Sequence, residues 1–384
     1  MKPARILALG GLLASVGVSA CSGAAGSAVA PIEVRPSPPG LPSPTPSPSP
    51  TPSGSPTQAA PIVTTYRIPT ANSNPVDIVA GPDGALWFTE LTGNNIGRVS
   101  VSGAIKEYPI PTAQSGPIGI TAGPDGALWF TESSAGKIGR ITTSGGFTEY
   151  TITGPNASDE DGPNFIAAGP DGAVWFTADP NGIGRVTTSG VFTEKSTPIA
   201  GVATGEIVPL MIVAGPDDAV WFTVNYGQEI GRVSTDFTFA EFPLPETHSI
   251  PYSEADGITA GPDGALWFTE STIERNGGIG RITTSGSVTE YTLPNAHAYP
   301  EGITRGPDGA LWFAQSVPAF FGKSAIGRIT TSGAIAGYPV PVGGSPNAIT
   351  TGSDGALWFT NGNSIGRITD PFADTSGIAT LLTK

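Results

Sequence analysis

Cysteine is almost absent from this 384-residue chain, since Cys21 is the only one. A single thiol cannot form an intrachain disulfide, and with only two histidines the chain has no cluster of zinc-ligand spacing. Basic residues are also scarce, with 18 Lys and Arg against 32 Asp and Glu and a net charge of -14. This balance argues against a nucleic-acid-binding protein.

The first 20 residues have the pattern of an export signal. Two basic residues precede an apolar stretch over residues 6–18, which is shorter than a membrane span. The stretch ends in Val-Ser-Ala-Cys21, which resembles a bacterial lipobox, so we expect Cys21 to carry lipid. A plain secreted protein cleaved near this point is the alternative. The prediction is an exported lipoprotein, anchored to the outer side of a bacterial cytoplasmic membrane or elsewhere in the envelope.

A different composition follows, because residues 21–60 are dominated by Pro, Ser, Thr, Gly and Ala. Such a segment cannot bury a core and favours extended polyproline II conformations. We therefore expect a disordered, semi-rigid stalk that holds residues 61–384 away from the membrane.

The rest of the chain is an internal repeat. The string Gly-Pro-Asp-Gly-Ala-Leu-Trp-Phe-Thr recurs with small changes, and each copy is followed by Ile-Gly-Arg. The repeat contains every tryptophan of the chain: Trp87, Trp129, Trp175, Trp221, Trp267, Trp312 and Trp358. A residue that recurs in every copy cannot mark one site, so these side chains are expected to pack between neighbouring sheets.

Each period reads as four short strands joined by turns, without helical periodicity. In the second copy the predicted strands are 119–122, 127–132, 138–142 and 147–152, with Pro-Asp-Gly and Ser-Gly turns between them. A four-stranded repeat of this length is a propeller blade. The sequence therefore predicts an all-β, seven-bladed β-propeller over residues 61–384.

The strand that closes the ring has two candidates. Residues 64–69 match the fourth strand of a blade but precede the first copy, so they can complete the seventh blade and remove an exposed edge. Residues 375–381 near the end of the chain could supply the same strand. The sequence alone does not decide between them.

The repeat, with its Thr-Glu-Tyr fourth strand, strongly resembles the virginiamycin B lyase (streptogramin lyase) family over about residues 64–369. The resemblance implies a Mg²⁺-assisted elimination that opens the ester link of a cyclic depsipeptide antibiotic, a carbon–oxygen lyase reaction. It also implies two histidines directly after Pro at the head of the first strand of the last two blades. A glutamate two residues before one of them, and another at the end of the second strand of the final blade, complete that set.

None of these groups is present at the matching positions. In chain order the seven strand heads carry Val76, Ile118, Asn164, Leu210, Asp256, Glu301 and Asn347. Ser345 and Asn361 stand where the two glutamates are expected. An amide cannot act as a general base at neutral pH, so the family mechanism does not transfer residue by residue.

The strand heads that differ point to a polar site at the channel mouth of blades five to seven. We expect Asp256, Glu301 and Glu270 to bind Mg²⁺ or Ca²⁺ weakly, with His297 and Glu301 as candidate acid and base groups. Four further residues are expected at this rim as ligand contacts: His248, Asn347, Tyr252 and Tyr299. An ordinary acidic, solvated rim is the alternative. Glu90 and Glu132 are expected to be rim charges without a site.

Two main functions follow. The first is a streptogramin-lyase-like enzyme, and the second is a non-catalytic module that binds a small molecule, peptide or partner protein on a lipid-anchored stalk. A gluconolactonase-like propeller with a metal in its channel is a third and weaker reading. In each case we expect a monomer that does not bind nucleic acid.

Overall fold

The computed structural model describes a single propeller within the compact unit Ala60–Lys384. The described residues are 62–153, 162–178, 180–198, 208–225, 229–245, 254–271, 277–294, 298–317, 323–340 and 344–369. No helix in these ranges is long and apolar enough to cross a membrane. Cys21 and the stalk lie outside them, so lipidation stays a prediction.

Seven antiparallel sheets of four strands make the ring. Blade one contains β2 (Pro75–Ala80), β3 (Leu86–Glu90), β4 (Asn95–Val99) and β5 (Ile105–Pro109). Blade two contains β6 (Pro117–Ala122), β7 (Leu128–Glu132), β8 (Lys137–Ile141) and β9 (Phe147–Thr151), with a 3-10 turn at Ser133–Ala135. Blade three contains β10 (Pro163–Ala168), β11 (Val174–Ala178), β12 (Gly182–Val186) and β13 (Phe192–Ser196).

The remaining blades repeat this order. Blade four contains β14 (Val208–Ala214), β15 (Ala219–Asn225), β16 (Glu229–Ser234) and β17 (Phe239–Pro243). Blade five contains β18 (Glu254–Ala260), β19 (Leu266–Ser271), β20 (Gly278–Ile282) and β21 (Val288–Thr292). Blade six contains β22 (Tyr299–Arg305), β23 (Leu311–Ser316), β24 (Ala325–Ile329) and β25 (Ile335–Pro339). Blade seven contains β26 (Pro346–Thr351), β27 (Ala356–Asn361), β28 (Ser364–Thr369) and β1 (Val63–Arg67).

The predicted propeller is confirmed, and the strands of the second copy agree with the structure to within two residues at each end. The first of the two closing alternatives is also confirmed. Strand β1 pairs antiparallel with β28, from Val63 opposite Ile368 to Arg67 opposite Ser364. This pairing joins the start of the propeller to its last blade and covers an edge that would otherwise be exposed. Residues 375–381 lie outside the described residues.

The tryptophans are fully buried and sit in the hydrophobic clusters between adjacent blades, as predicted. Each indole is fixed by the aspartate of the turn between the first and second strands of its blade. In blade one, Asp83 Oδ1 accepts from Trp87 Nε1 at 3.0 Å, and Oδ2 accepts from Arg98 Nε at 2.7 Å. Burial alone would raise the pKa of Asp83, but the hydrogen bonds from Trp87 and Arg98 lower it below its usual value. The recurring Asp, Trp and Arg therefore form one structural unit in every blade.

Candidate functional site at the channel mouth

The first strands of the blades contact one another around a closed ring and so line the central channel. Each carries a β-bulge, because the register with its second strand shifts between the residue at its head and the isoleucine three positions on. The two residues inside the bulge differ between blades. The first bulge positions are Val76, Ile118, Asn164, Leu210, Asp256, Glu301 and Asn347, and the second are Asp77, Gly119, Phe165, Met211, Gly257, Gly302 and Ala348.

A threonine on the second strand holds most of these bulges in place. In blade one, Thr89 Oγ1 accepts from the Asp77 N–H at 3.1 Å and donates to the Ile118 carbonyl of the next blade at 2.7 Å. We call this pair of hydrogen bonds made by one threonine hydroxyl the hydroxyl bridge. Blade six has Ala314 at this position, so the hydroxyl bridge is missing between blades six and seven. The gap lies beside Glu301 and Asn347.

The first bulge position separates the blades into two groups. In blades one to four it is buried, at 9 % exposure or less. In blades five to seven Asp256, Glu301 and Asn347 are half-buried. Ser271 Oγ donates to Asp256 Oδ2 at 2.6 Å, and Ser316 Oγ donates to Glu301 Oε1 at 3.3 Å. The half-buried first bulge positions thus belong to three consecutive blades, and all three carry polar side chains.

Several predicted site residues cannot be placed. His248, Tyr252 and His297 lie outside the described residues, so their proposed roles stay predictions. Tyr299 is half-buried at the start of β22, where its Cα pairs with that of Ser316.

The predicted metal site gains no support from the described ranges. Within them, no three His, Cys, Asp or Glu side chains come together as a group that could hold a metal ion. Glu270, the third predicted ligand, is only 2 % exposed. Asp256 and Glu301 alone do not fit a Mg²⁺ or Ca²⁺ site, which normally has several oxygen ligands. The metal therefore stays a prediction, and the chemistry argued for this site is carried by the chain's own groups.

The expectation that Glu90 and Glu132 are rim charges is wrong, because both are 0 % exposed. Both lie at the last position of the run Leu-Trp-Phe-Thr-Glu on the second strand, the position that the buried Glu270 has in blade five. Burial, with a smaller contribution from a nearby outer-strand glutamate, raises the pKa of Glu90 and Glu132 to about 7 and that of Glu270 to about 8. Each outer-strand partner belongs to the same blade: Glu107, Glu149 and Glu290.

The outer-strand glutamates bind the connections between blades. Glu107 Oε1 accepts from the Thr70 N–H at 2.9 Å, and Glu149 accepts from both the N–H and the hydroxyl of Thr112 at 3.0 and 2.9 Å. In blade two Lys137 Nζ also lies 3.4 Å from Glu149. This explains part of the Thr-Glu-Tyr motif structurally.

One functional candidate was missed by the sequence analysis. Asp77, at the second bulge position of blade one, accepts from the Ile78 N–H at 2.8 Å and from the Ile120 N–H of the next blade at 2.9 Å. Burial in the channel wall raises the pKa of Asp77 to about 6 against the opposing effect of these hydrogen bonds. The signal was available, because the other six copies carry Gly, Ala, Phe or Met at this position.

Comparison with known proteins identifies the family of this scaffold. The model of the virginiamycin B lyase family matches residues 56–160, 155–277 and 251–375. The chain belongs to the virginiamycin B lyase family. A streptogramin B lyase structure is 35 % identical, covers 82 % of this chain and 99 % of its own, and superposes with a TM-score of 0.71. Virginiamycin B lyase from Staphylococcus aureus is 36 % identical, with coverages of 81 % and 99 % and a TM-score of 0.70.

A second structure of the S. aureus protein is a catalytically inactive variant with quinupristin, in which one histidine is replaced by alanine. It is 35 % identical to this chain, with a TM-score of 0.70, and covers 81 % of this chain and 99 % of its own. The histidine positions that the family resemblance implies are occupied here by Glu301 and Asn347, both half-buried at the channel mouth. The family scaffold is therefore present with different groups at its mouth.

Proposed function

We propose that this member of the virginiamycin B lyase family binds a cyclic depsipeptide or similar peptide ligand at the channel mouth of blades five to seven, without the family's histidine chemistry. The observation that carries the proposal is the half-buried polar set Asp256, Glu301 and Asn347, at positions that are buried in blades one to four. The side chains that recur in every copy are explained by packing, whereas these three differ from those of the other blades.

The character of this site fits recognition by hydrogen bonds. Ser271 and Ser316 orient the Asp256 and Glu301 carboxylates from the ends of their second strands. Oriented carboxylates accept hydrogen bonds from the amide groups of a peptide ligand, and few precisely placed polar groups are typical of ligand sites. Asn347 adds an amide that can donate and accept.

Loss of the histidines favours binding over turnover. The S. aureus enzyme is catalytically inactive after replacement of one histidine. Here an acid and an amide stand at both histidine positions that the resemblance implies, Glu301 and Asn347. An asparagine has no basic group for removing a carbon-bound proton.

A lyase that uses a carboxylate base is the second candidate. In this case Glu301 takes a carbon-bound proton while the ester carbon–oxygen bond breaks, and the leaving oxygen departs as a carboxylate. The observation that favours it is the identity of 35 to 36 % to streptogramin lyases over 99 % of their chains.

Titration of the purified protein with quinupristin, followed by calorimetry and mass spectrometry, tests both candidates. We expect binding with an unchanged ligand mass, and a loss of affinity of about tenfold or more in Asp256→Asn plus Glu301→Gln. Glu241→Gln, an exposed position on the outer strand of blade four, is the matched control. Ring opening that Glu301→Gln abolishes would establish the enzyme instead, and absence of any binding would reject the proposal.

We further propose that the propeller is displayed on a membrane through lipid on Cys21. The lipobox-like Val-Ser-Ala-Cys21 and the Pro-rich segment behind it support this. Mass spectrometry of the mature N-terminus in a bacterial host should find acylated Cys21, and Cys21→Ser should release the protein from the membrane fraction. An unmodified thiol would reject the anchor.

A further inference from the structure

The wall of the channel already contains one bound carboxylate, and it belongs to the chain itself. The Asp77 carboxylate bridges the Ile78 N–H of its own blade and the Ile120 N–H of the next, at 2.8 and 2.9 Å. The N–H groups of Ile78 and Ile120 therefore both point toward the side chain at the second bulge position of blade one. An oxygen atom placed between two neighbouring blades is held by both of them.

The same donors recur around the ring. All seven first strands place the isoleucine opposite the phenylalanine of the second strand in the same register. The N–H groups of Ile258, Ile303 and Ile349 therefore have the direction of those of Ile78 and Ile120. In the described part of the chain no side chain is hydrogen-bonded to these three groups in the way that Asp77 is to its two.

Glycine leaves these donors uncovered next to the candidate site. A Cβ at Gly257 would lie 3.0 Å from the Ile303 nitrogen, and one at Gly302 would lie 3.2 Å from the Ile349 nitrogen. In blades three and four, by contrast, Phe165 and Met211 occupy the equivalent position. Gly119 in blade two has the same geometry, since a Cβ there would lie 3.0 Å from the Ile166 nitrogen, but the Ile120 N–H beside it is bound by Asp77. Among the described residues, donor pairs that lack both a covering side chain and the Asp77 carboxylate are thus confined to blades five to seven.

We propose that the N–H groups of Ile303 in blade six and Ile349 in blade seven, which the missing side chain of Gly302 leaves uncovered, form a cradle for a carbonyl oxygen of the ligand. The proposal deepens the function proposed above and rests on it for the identity of the ligand. A neutral ester or amide carbonyl is favoured over an anion, because the half-buried Asp256 and Glu301 would repel a second negative charge. Asp256 and Glu301 would then accept from ligand N–H groups beside that carbonyl.

The direct test follows the isoleucine amides by NMR in protein labelled with ¹⁵N-isoleucine. Without ligand, the Ile78 and Ile120 amides should exchange slowly with solvent and those of Ile303 and Ile349 faster, because only the first two have a carboxylate acceptor. Saturation with quinupristin should shift and protect Ile303 and Ile349 and leave Ile78 and Ile120 unchanged. Binding of quinupristin without any change at Ile303 and Ile349 would overturn the cradle and leave the proposed function standing.

Substitution of the glycine gives a second test. Gly302→Asp places in blade six the carboxylate that blade one already has, so it should protect the Ile303 and Ile349 amides and weaken quinupristin binding by about tenfold or more. A Cβ at Gly302 would lie 2.9 Å from both Ala348 Cα and the Asn347 oxygen, so Gly302→Ala measures the strain alone. Gly119→Asp is the matched control in blade two, where a Cβ meets Phe165 Cα at 2.8 Å, and it should leave binding unchanged.

These variants separate the two proposals when quinupristin does not bind at all. That result rejects the proposed ligand, and the cradle is then judged on Gly302→Asp in the unliganded protein. Protection of Ile303 and Ile349 by the new carboxylate would support the cradle. If Gly302→Asp folds and neither the Ile303 nor the Ile349 amide is protected, the cradle is overturned. If Gly302→Asp does not fold, the unsubstituted protein decides: equally slow exchange of the Ile78, Ile120, Ile303 and Ile349 amides overturns the cradle.

Discussion

Blades one and two and blades five and six share their strands, their register and their Asp, Trp and Arg unit, but they use acidic residues differently. In blade one the acid of the bulge is Asp77, and its carboxylate is bound to two backbone N–H groups of the wall. In blade six the acid comes one residue earlier, as Glu301, and is half-buried beside Ser316 with Gly302 after it. An acid at the second bulge position is thus bound within the channel wall, whereas an acid at the first bulge position, one residue earlier, lies at the channel mouth.

The buried glutamates show the same contrast. Glu132 lies opposite Lys137, which is paired with Glu149, whereas Glu270 lies opposite Gly278. Among the described residues neither Glu270 Oε2 nor either carboxylate oxygen of Glu132 has a hydrogen-bond partner. In blade two the Lys137 charge offsets only part of the effect of burial, which still raises the pKa of Glu132 to about 7. In blade five burial raises the pKa of Glu270 further, to about 8, so this acid stays protonated near neutral pH.

The shared scaffold gives the largest expected effect. Trp129→Ala and Trp312→Ala should each lower the free energy of unfolding by about 3–5 kcal/mol, because each removes a fully buried indole from a cluster between blades. Urea unfolding measures both. The two losses should agree within about 1 kcal/mol, and a much smaller loss in blade six would show that the scaffold is not equivalent in the two regions.

Glu270→Gln should remove a pH dependence of stability. The pKa of Glu270 is about 8 in the folded state against an ordinary value of 4.5, so between these values only the folded state binds the proton. Its contribution to stability is therefore fully present below pH 4.5 and is lost as pH rises through 8. The free energy of unfolding of the variant minus that of the parent should therefore be larger at pH 9 than at pH 5, by roughly 2–4 kcal/mol. Glu132→Gln is the control and should show a smaller gain, with a window that ends near pH 7. Equal pH profiles for the Glu270→Gln variant and the parent would contradict the assignment.

Asp77→Ala should cost more stability than Glu301→Ala. The first leaves the Ile78 and Ile120 N–H groups in the channel wall without their acceptor, at about 1–3 kcal/mol. The second removes a half-buried mouth residue and should cost below about 1 kcal/mol. Urea unfolding at pH 7 compares them, and the reverse order would break the distinction between the two acids.

The hydroxyl bridge gives the smallest effect. Thr131→Ala should lose about 1–2 kcal/mol, because Thr131 Oγ1 accepts from the Gly119 N–H at 2.9 Å and donates to the Asn164 carbonyl at 2.7 Å. Ala314→Thr should add the bridge that blade six lacks and gain up to about 1 kcal/mol. A loss of stability in Ala314→Thr would mean that the gap between blades six and seven is closed by repacking.

Much of the fold was predictable from agreement between the copies. Recurrence of Gly-Pro-Asp-Gly, Trp-Phe-Thr and Ile-Gly-Arg defines four strands and three turns, and the burial of Trp129 or Trp312 follows from it. The polar mouth at Asp256 and Glu301 was predictable from disagreement between the copies. The pattern could not show which side of the sheet Glu90, Glu132 and Glu270 face, because they come after a run of fully buried residues on the second strand.

The role of Asp77 was missed for a related reason. Comparison of the copies marks Asp77 as different, but its acceptor role depends on a bulge that directs the side chain toward the next blade, and the alternation of residues along the strand does not reveal that bulge. The missing bridge at Ala314 was visible as a substitution, but its meaning required the Thr89 and Thr131 contacts. Contacts between blades are the part that a single repeat does not encode.

Hydrogen exchange of the whole protein with and without saturating quinupristin, read by mass spectrometry, tests the central claim most directly. Added protection is expected only in peptides containing β18, β22 and β26, while β2 and β6 at the other side of the channel should not change. Protection at β2 and β6, or on outer strands such as β9, with none at β22, would contradict a binding site at the mouth of blades five to seven.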